Sequence, residues 1–162
     1  MKFIGQICVN GHIMEEGLKP FSSIAQQYCE TCGDKTVVSC PSCKMVIQLI
    51  EPPSRSNKAH KKKSIDYIVP RFCRHCGTAY PWTQNKLETA QELTMQMSGL
   101  NDKEKEILKL SLNDLTADTH RTELAAIRVK TFLSKVAPVA GNALKDVLVS
   151  VATDAAKKSL GL

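Results

Sequence analysis

The 162-residue sequence predicts an α+β fold: a small β-hairpin module over residues 1–82, followed by an α-helical region over residues 83–162. Three observations predict this. All seven cysteines lie in the first 76 residues, six of them in the pairs CETC, CPSC and CRHC. The segments between those pairs, notably KTVVS, MVIQLI and IDYIV, alternate in the manner of short strands. After Trp82 the apolar residues recur every three or four positions, and most of the Leu, Ile, Val and Ala clustering follows residue 86.

The first half has too little apolar material to fold on a core of its own, and modules of that size are usually held by disulfides or by a metal. An odd cysteine count and the C-x-x-C spacing favour a metal in a reducing compartment. The opening MKFIGQICVNGH has one lysine and no apolar run of secretory length, and no stretch reaches the roughly 18 apolar residues of a membrane span. The expectation is a cytoplasmic protein.

Zinc takes four tetrahedral ligands from thiolate and imidazole, and a C-x-x-C turn presents two sulfurs to one ion. Three such pairs are Cys29 with Cys32, Cys40 with Cys43, and Cys73 with Cys76. Cys8 is left over, and His12, four residues on around an Asn10-Gly11 turn, completes a fourth pair. Eight ligands fill two sites, so two Zn2+ ions are expected, each clipping a short β-hairpin. Gly33 and Gly77 directly follow their pairs, where such a turn requires positive φ, and Pro41 stiffens the third turn. Sequential pairing gives two successive zinc ribbons, and interleaved pairing gives a cross-brace of the kind found in ubiquitin-ligase fingers. Sequential pairing is favoured, because VVSCPSCKMVIQLI and YIVPRFCRHCGTAY read as two arms of one ribbon. A single redox pair would leave five cysteines unexplained. His60, His75 and His120 read as exposed histidines.

The net charge of +6 is concentrated in EPPSRSNKAHKKKS, a loop between the ligand pairs of the second ribbon. Arg55, Lys58, Lys61, Lys62 and Lys63, joined by Lys44, Arg71 and Arg74 near the metal, are candidate phosphate contacts for a nucleic acid. The loop has no interleaved aromatics for base stacking, so a solvated surface segment is the competing reading. Trp82 in AYPW is expected to pack the ribbon against the helix that follows.

In the second half, Leu87, Ala90, Leu93 and Met97 mark a first helix with Thr83 as its cap, ending at Gly99. Asn101 and Glu104 have the spacing of a capping box, opening a second helix with Ile107, Leu108, Leu112 and Leu115 on one side. A third runs from Asp118 or Thr119 to Ala137 and is closed by Pro138. The last is continuous from Ala143 to Ala156. On its stripe Leu144, Val147, Leu148 and Val151 are candidates for a partner helix or self-association, with packing inside the chain as the alternative. The stripe lacks the Trp and Phe of a membrane-surface helix.

No Gly-rich phosphate loop, Ser-His-Asp arrangement or carboxylate cluster beside histidines occurs. The stretches CVNGH, YCETCG, SCPSC and FCRHCGTAYPWT, with ELAAIRVKTFL and the Ala-rich final helix, resemble a family of small bacterial zinc-ribbon proteins, a domain of unknown function. The resemblance implies a bacterial source and metal binding at Cys8, His12, Cys29, Cys32, Cys40, Cys43, Cys73 and Cys76. It implies no activity. The expected function is that of a non-catalytic zinc-binding protein serving protein interaction or assembly. Nucleic-acid binding through residues 55–63 is the first alternative. Two enzymatic readings stand behind it: a ligase-like cross-brace, and a metal hydrolase with an open zinc position.

Overall fold

The computed structural model describes residues 4–18, 26–50 and 67–162. The chain divides into two units, Met1–Trp82 and Thr83–Leu162.

In the first unit, β1 (Ile4–Cys8) pairs antiparallel with β2 (Ile13–Leu18) on one side and with β3 (Thr36–Val37) on the other, in the order β2-β1-β3. Ile7 stands opposite both Ile13 and Val37, so the β1–β2 turn carries Cys8 and His12 at its two ends. The alternating segments miss β1 and β2 for a physical reason. From Gly5 to Cys8 the central strand is buried on both faces, and a strand covered on both sides has no period-two signature. Gly5 is where β1 passes beneath Leu49: a Cβ there would lie 2.7 Å from Leu49 Cγ, so only glycine fits without displacing that side chain. KTVVS, by contrast, yields only the two-residue β3, and MVIQLI yields the isolated bridges Ile4↔Gln48, Ser39↔Val46 and Ile50↔Ile68.

Among the described residues, the core of this unit is a cluster of seven buried residues, Ile7, Cys40, Ile47, Leu49, Cys73, Tyr80 and Trp82. Two of the seven are cysteines of one ligand cluster, so the cluster is part of the core. Trp82 stacks on Tyr80 at 4.6 Å between ring centroids, and its indole Nε1 donates to the Pro70 carbonyl at 2.8 Å.

Five helices follow: α1 (Pro81–Gln96), α2 (Asp102–Leu115), α3 (Thr122–Leu133), α4 (Pro138–Val151) and α5 (Asp154–Leu160). α1 begins two residues before the expected Thr83 cap, at a proline whose fixed φ suits a first helical position. The Asn101–Glu104 capping box forms in both directions, each side chain accepting from the other residue's N–H. Glu104 also pairs with Lys135, which, with the Asn101 N–H, holds its carboxyl below the usual range. Pro138 opens α4 rather than closing α3, which ends at Leu133.

The expected continuous last helix is interrupted. Ala152 is extended at ψ 152°, Thr153 donates its N–H to the Leu115 carbonyl at 3.0 Å, and the Thr153 hydroxyl accepts from the Ala156 N–H to start α5. Thr153→Ala is expected to cost about 1 kcal/mol, the usual value of a lost N-cap, readable in urea melts followed by helical circular dichroism. Leu108, Leu112, Leu115, Val129, Leu144 and Leu148 form the centre of this unit's core. Among the described residues no helix is long and apolar enough to cross a membrane.

Candidate metal centres

The three C-x-x-C pairs share one local geometry. The first cysteine donates its N–H to the carbonyl five residues on: Cys29 to Asp34 at 2.7 Å, Cys40 to Met45 at 2.8 Å and Cys73 to Thr78 at 2.8 Å. The residue after the second cysteine donates back to the first cysteine's carbonyl, at 2.8 Å from Gly33, 2.9 Å from Lys44 and 2.8 Å from Gly77. That residue is left-handed each time, with φ of 76°, 63° and 73°. Glycine accepts this freely; Lys44 does so at a cost of about 1–2 kcal/mol, while its ammonium folds back to the Pro41 carbonyl. The Cys8–His12 turn is a variant, closed by Cys8 N–H to the His12 carbonyl at 3.0 Å and Gly11 N–H to the Cys8 carbonyl at 2.9 Å.

These turns bring the eight predicted ligand residues into two groups, Cys8, His12, Cys29 and Cys32, and Cys40, Cys43, Cys73 and Cys76. Within each group the ligand atoms all lie within 4.8 Å of one another. The grouping is sequential, so the interleaved cross-brace, and with it the ligase-like finger, is not the arrangement adopted. In the first group Cys8 Sγ is 3.8 Å from Cys32 Sγ and 3.4 Å from His12 Nδ1, and Cys29 Sγ is 3.6 Å from that nitrogen. In the second, Cys40 to Cys76 is 3.7 Å and Cys43 to Cys73 is 3.6 Å. A disulfide needs about 2.05 Å, and all seven thiols are free. An ion about 2.3 Å from sulfur and about 2.0 Å from nitrogen, with tetrahedral angles, sets S–S edges near 3.8 Å and S–N edges near 3.5 Å. Both groups fit that polyhedron.

Residues 1–160 match the model of a family described as an uncharacterized protein conserved in bacteria (DUF2321). The chain belongs to this family. No curated protein and no solved structure matches it. For this member of the family, the chemistry of the site rests on its own geometry.

The thiols are electrostatically divided. Burial pushes the Cys29 thiol up, but the amides of Cys32 and Thr31, helped by the Cys32 and His12 side chains, more than offset this and leave it lowered to about 6. Cys73 is likewise lowered to about 6, first by the amides of Cys76 and His75. Cys43 moves the other way: the Met45 amide lowers it, yet burial and the three neighbouring cysteines raise it to about 12. Four thiols at one point cannot all ionise unless a cation compensates them. Cation binding should therefore displace protons at pH 7, with Cys43 supplying one and the already ionised Cys73 little. Titration calorimetry in buffers of different ionisation enthalpy should return fewer than four protons per ion at the second group.

Two supporting residues escaped the sequence reading. Asn10, read only as a turn residue, donates from Nδ2 to Cys32 Sγ at 3.4 Å and to Asp34 Oδ2 at 2.6 Å, tying the first knuckle to the second. Tyr80 is buried in one cluster with Cys73, and burial, followed by the nearness of Cys73, raises its phenol far above the ordinary value. Neither role leaves a motif, because each depends on residues brought near by the turns. Remaining candidates fall elsewhere. His75 and His120 are exposed and outside both groups, whereas Arg55, Lys58, Lys61, Lys62, Lys63 and His60 lie outside the described residues. Lys44 and Arg74 are exposed, and Arg71 is half-buried. Leu144, Leu148 and Val151 are buried in their own unit's core with Val147 packed against it, so the stripe offered for a partner is occupied within the chain.

Proposed function

We propose that this family member is a non-catalytic zinc-binding protein of the cytoplasm, in which two structural zinc ions hold a ribbon module that serves protein interaction or assembly. The supporting observation is the closed ligand set. Each group supplies four donors, seven of the eight being sulfur, and such sites hold structure, whereas catalytic zinc keeps a position for water. Thiolate-rich tetrahedral sets select zinc over harder divalent ions, and a reducing compartment keeps them from oxidising. Exposed Tyr28, Met45 and Val46 sit in the knuckle segments, and Leu124 and Ile127 on α3 offer an apolar edge that the core does not use. Burying such surface is a reason for association.

Metal content and solution mass measured on one sample test the proposal. Two zinc ions per chain, four-coordinate sulfur-rich cobalt spectra at both sites, and a mass above the 17.9 kDa monomer that falls on Leu124→Ser with Ile127→Ser are expected. A five-coordinate cobalt site with exchangeable water would overturn the non-catalytic assignment. Salt-steep nucleic-acid binding lost on Lys61→Gln, Lys62→Gln and Lys63→Gln would replace the interaction role with the alternative.

A further inference from the structure

Beside the second ligand group lies a cavity of about 400 Å³ that the metal sites do not use. Its size falls at the lower end of the range for small-ligand pockets. Leu49 and Tyr80, both buried, line it together with Ile50, Pro70 and Phe72. Ile50 is 49% exposed and Phe72 36%, values that leave these large apolar side chains bare at the opening. Gln48 and Arg74 also line the cleft, the Arg74 guanidinium donating to the side-chain carbonyl of Gln48. Among the described residues Arg74 is the one charged residue lining the space, and no carboxylate of theirs pairs with it.

A cleft that sets apolar side chains beside one guanidinium is complementary to a molecule with an apolar body and one anionic group. Water serves such a molecule poorly at one end, and the cavity serves both ends: burial for the body, and a charge-assisted hydrogen bond for the acid. We infer that this cavity binds an apolar organic acid, a ring or branched aliphatic group carrying a carboxylate or sulfonate that Arg74 receives. The inference is independent of the interaction role proposed above. The acid is either free or the carboxyl end of a peptide.

The cavity carries its own reporter. Tyr80 stacks on Trp82, the single tryptophan of the chain, so occupancy perturbs one fluorophore. The zinc-loaded full chain is titrated with 1-anilinonaphthalene-8-sulfonate and with its uncharged counterpart N-phenyl-1-naphthylamine, following Trp82 emission. One-to-one binding of the sulfonate is expected, weakened about tenfold by Arg74→Gln and unchanged by Lys103→Gln, with the neutral dye indifferent to both. Ile50→Glu, which places a like charge on the wall, should weaken the sulfonate as strongly, and an unchanged cobalt spectrum shows that either variant keeps its fold. Displacement by 3-phenylpropanoate identifies a free acid, and displacement only by a peptide ending in free phenylalanine identifies a carboxyl terminus. No sulfonate binding, equal affinity in Arg74→Gln, or displacement by 3-phenylpropanamide as readily as by the acid would overturn the inference.

Discussion

Cys73→Ser should abolish metal binding at the second group and unfold the first unit, while the helical signal of residues 83–162 persists. The expected effect is large because little else holds that unit. The core that its described residues form includes Cys73 itself, with the buried Tyr80 in the same cluster. A structural zinc contributes on the order of 10 kcal/mol to a small module at neutral pH, a quantity comparable with the whole stability of an ordinary domain. Serine offers a hard oxygen with a high pKa in place of a thiolate already lowered to about 6, so the site loses its readiest ligand. Loss of the Trp82 near-ultraviolet signal together with loss of the cobalt absorption of both groups, which lie in the same unit, would record the effect, and a chelator should reproduce it in the unsubstituted chain. A variant retaining both cobalt bands and native Trp82 emission would show that the apolar residues suffice alone, contrary to the account of the core given above.

What the sequence disclosed follows from how local each interaction is. The C-x-x-C turns are closed by hydrogen bonds within six residues, so their candidate ligands and glycines could be read directly and the leftover Cys8 pointed to His12 by count, whereas which turns share a group is non-local and the sequence only favoured the sequential arrangement. The Asn101 capping box is equally local. β1 escaped because burial on both faces erased its alternation. The break between α4 and α5 escaped because Val151, Ala152, Ala155 and Ala156 continue an unbroken stripe, while the group that fixes the break, the Leu115 carbonyl, belongs to another helix. The same stripe was offered to a partner because periodicity marks an apolar face without saying which surface covers it. Leu108, Leu112 and Leu115 of α2 and Val129 of α3, buried in one core with Leu144 and Leu148, supply that cover.

The second large effect is expected in that core. Leu112 is fully buried on α2, in the face that meets α3, and Leu112→Ala removes three carbons from a site with no solvent access. Such truncations cost about 2–5 kcal/mol, the spread reflecting how far neighbours relax into the cavity. For a unit of this size each kilocalorie lowers the melting temperature by roughly 4–8 °C, so the helical transition should fall by roughly 8–40 °C. Leu110→Ala is the control. It lies on the same helix, two positions away and 56% exposed, and should change stability by less than about 0.5 kcal/mol. Differential scanning calorimetry of both variants, with cobalt absorption followed in parallel, separates two outcomes. If the metal module folds on its ions, the cobalt bands of Leu112→Ala remain while the helices melt early. If the bands disappear together with the helices, metal and helical core form one cooperative structure, and the division of labour between coordinated ions in one unit and leucine packing in the other is refuted.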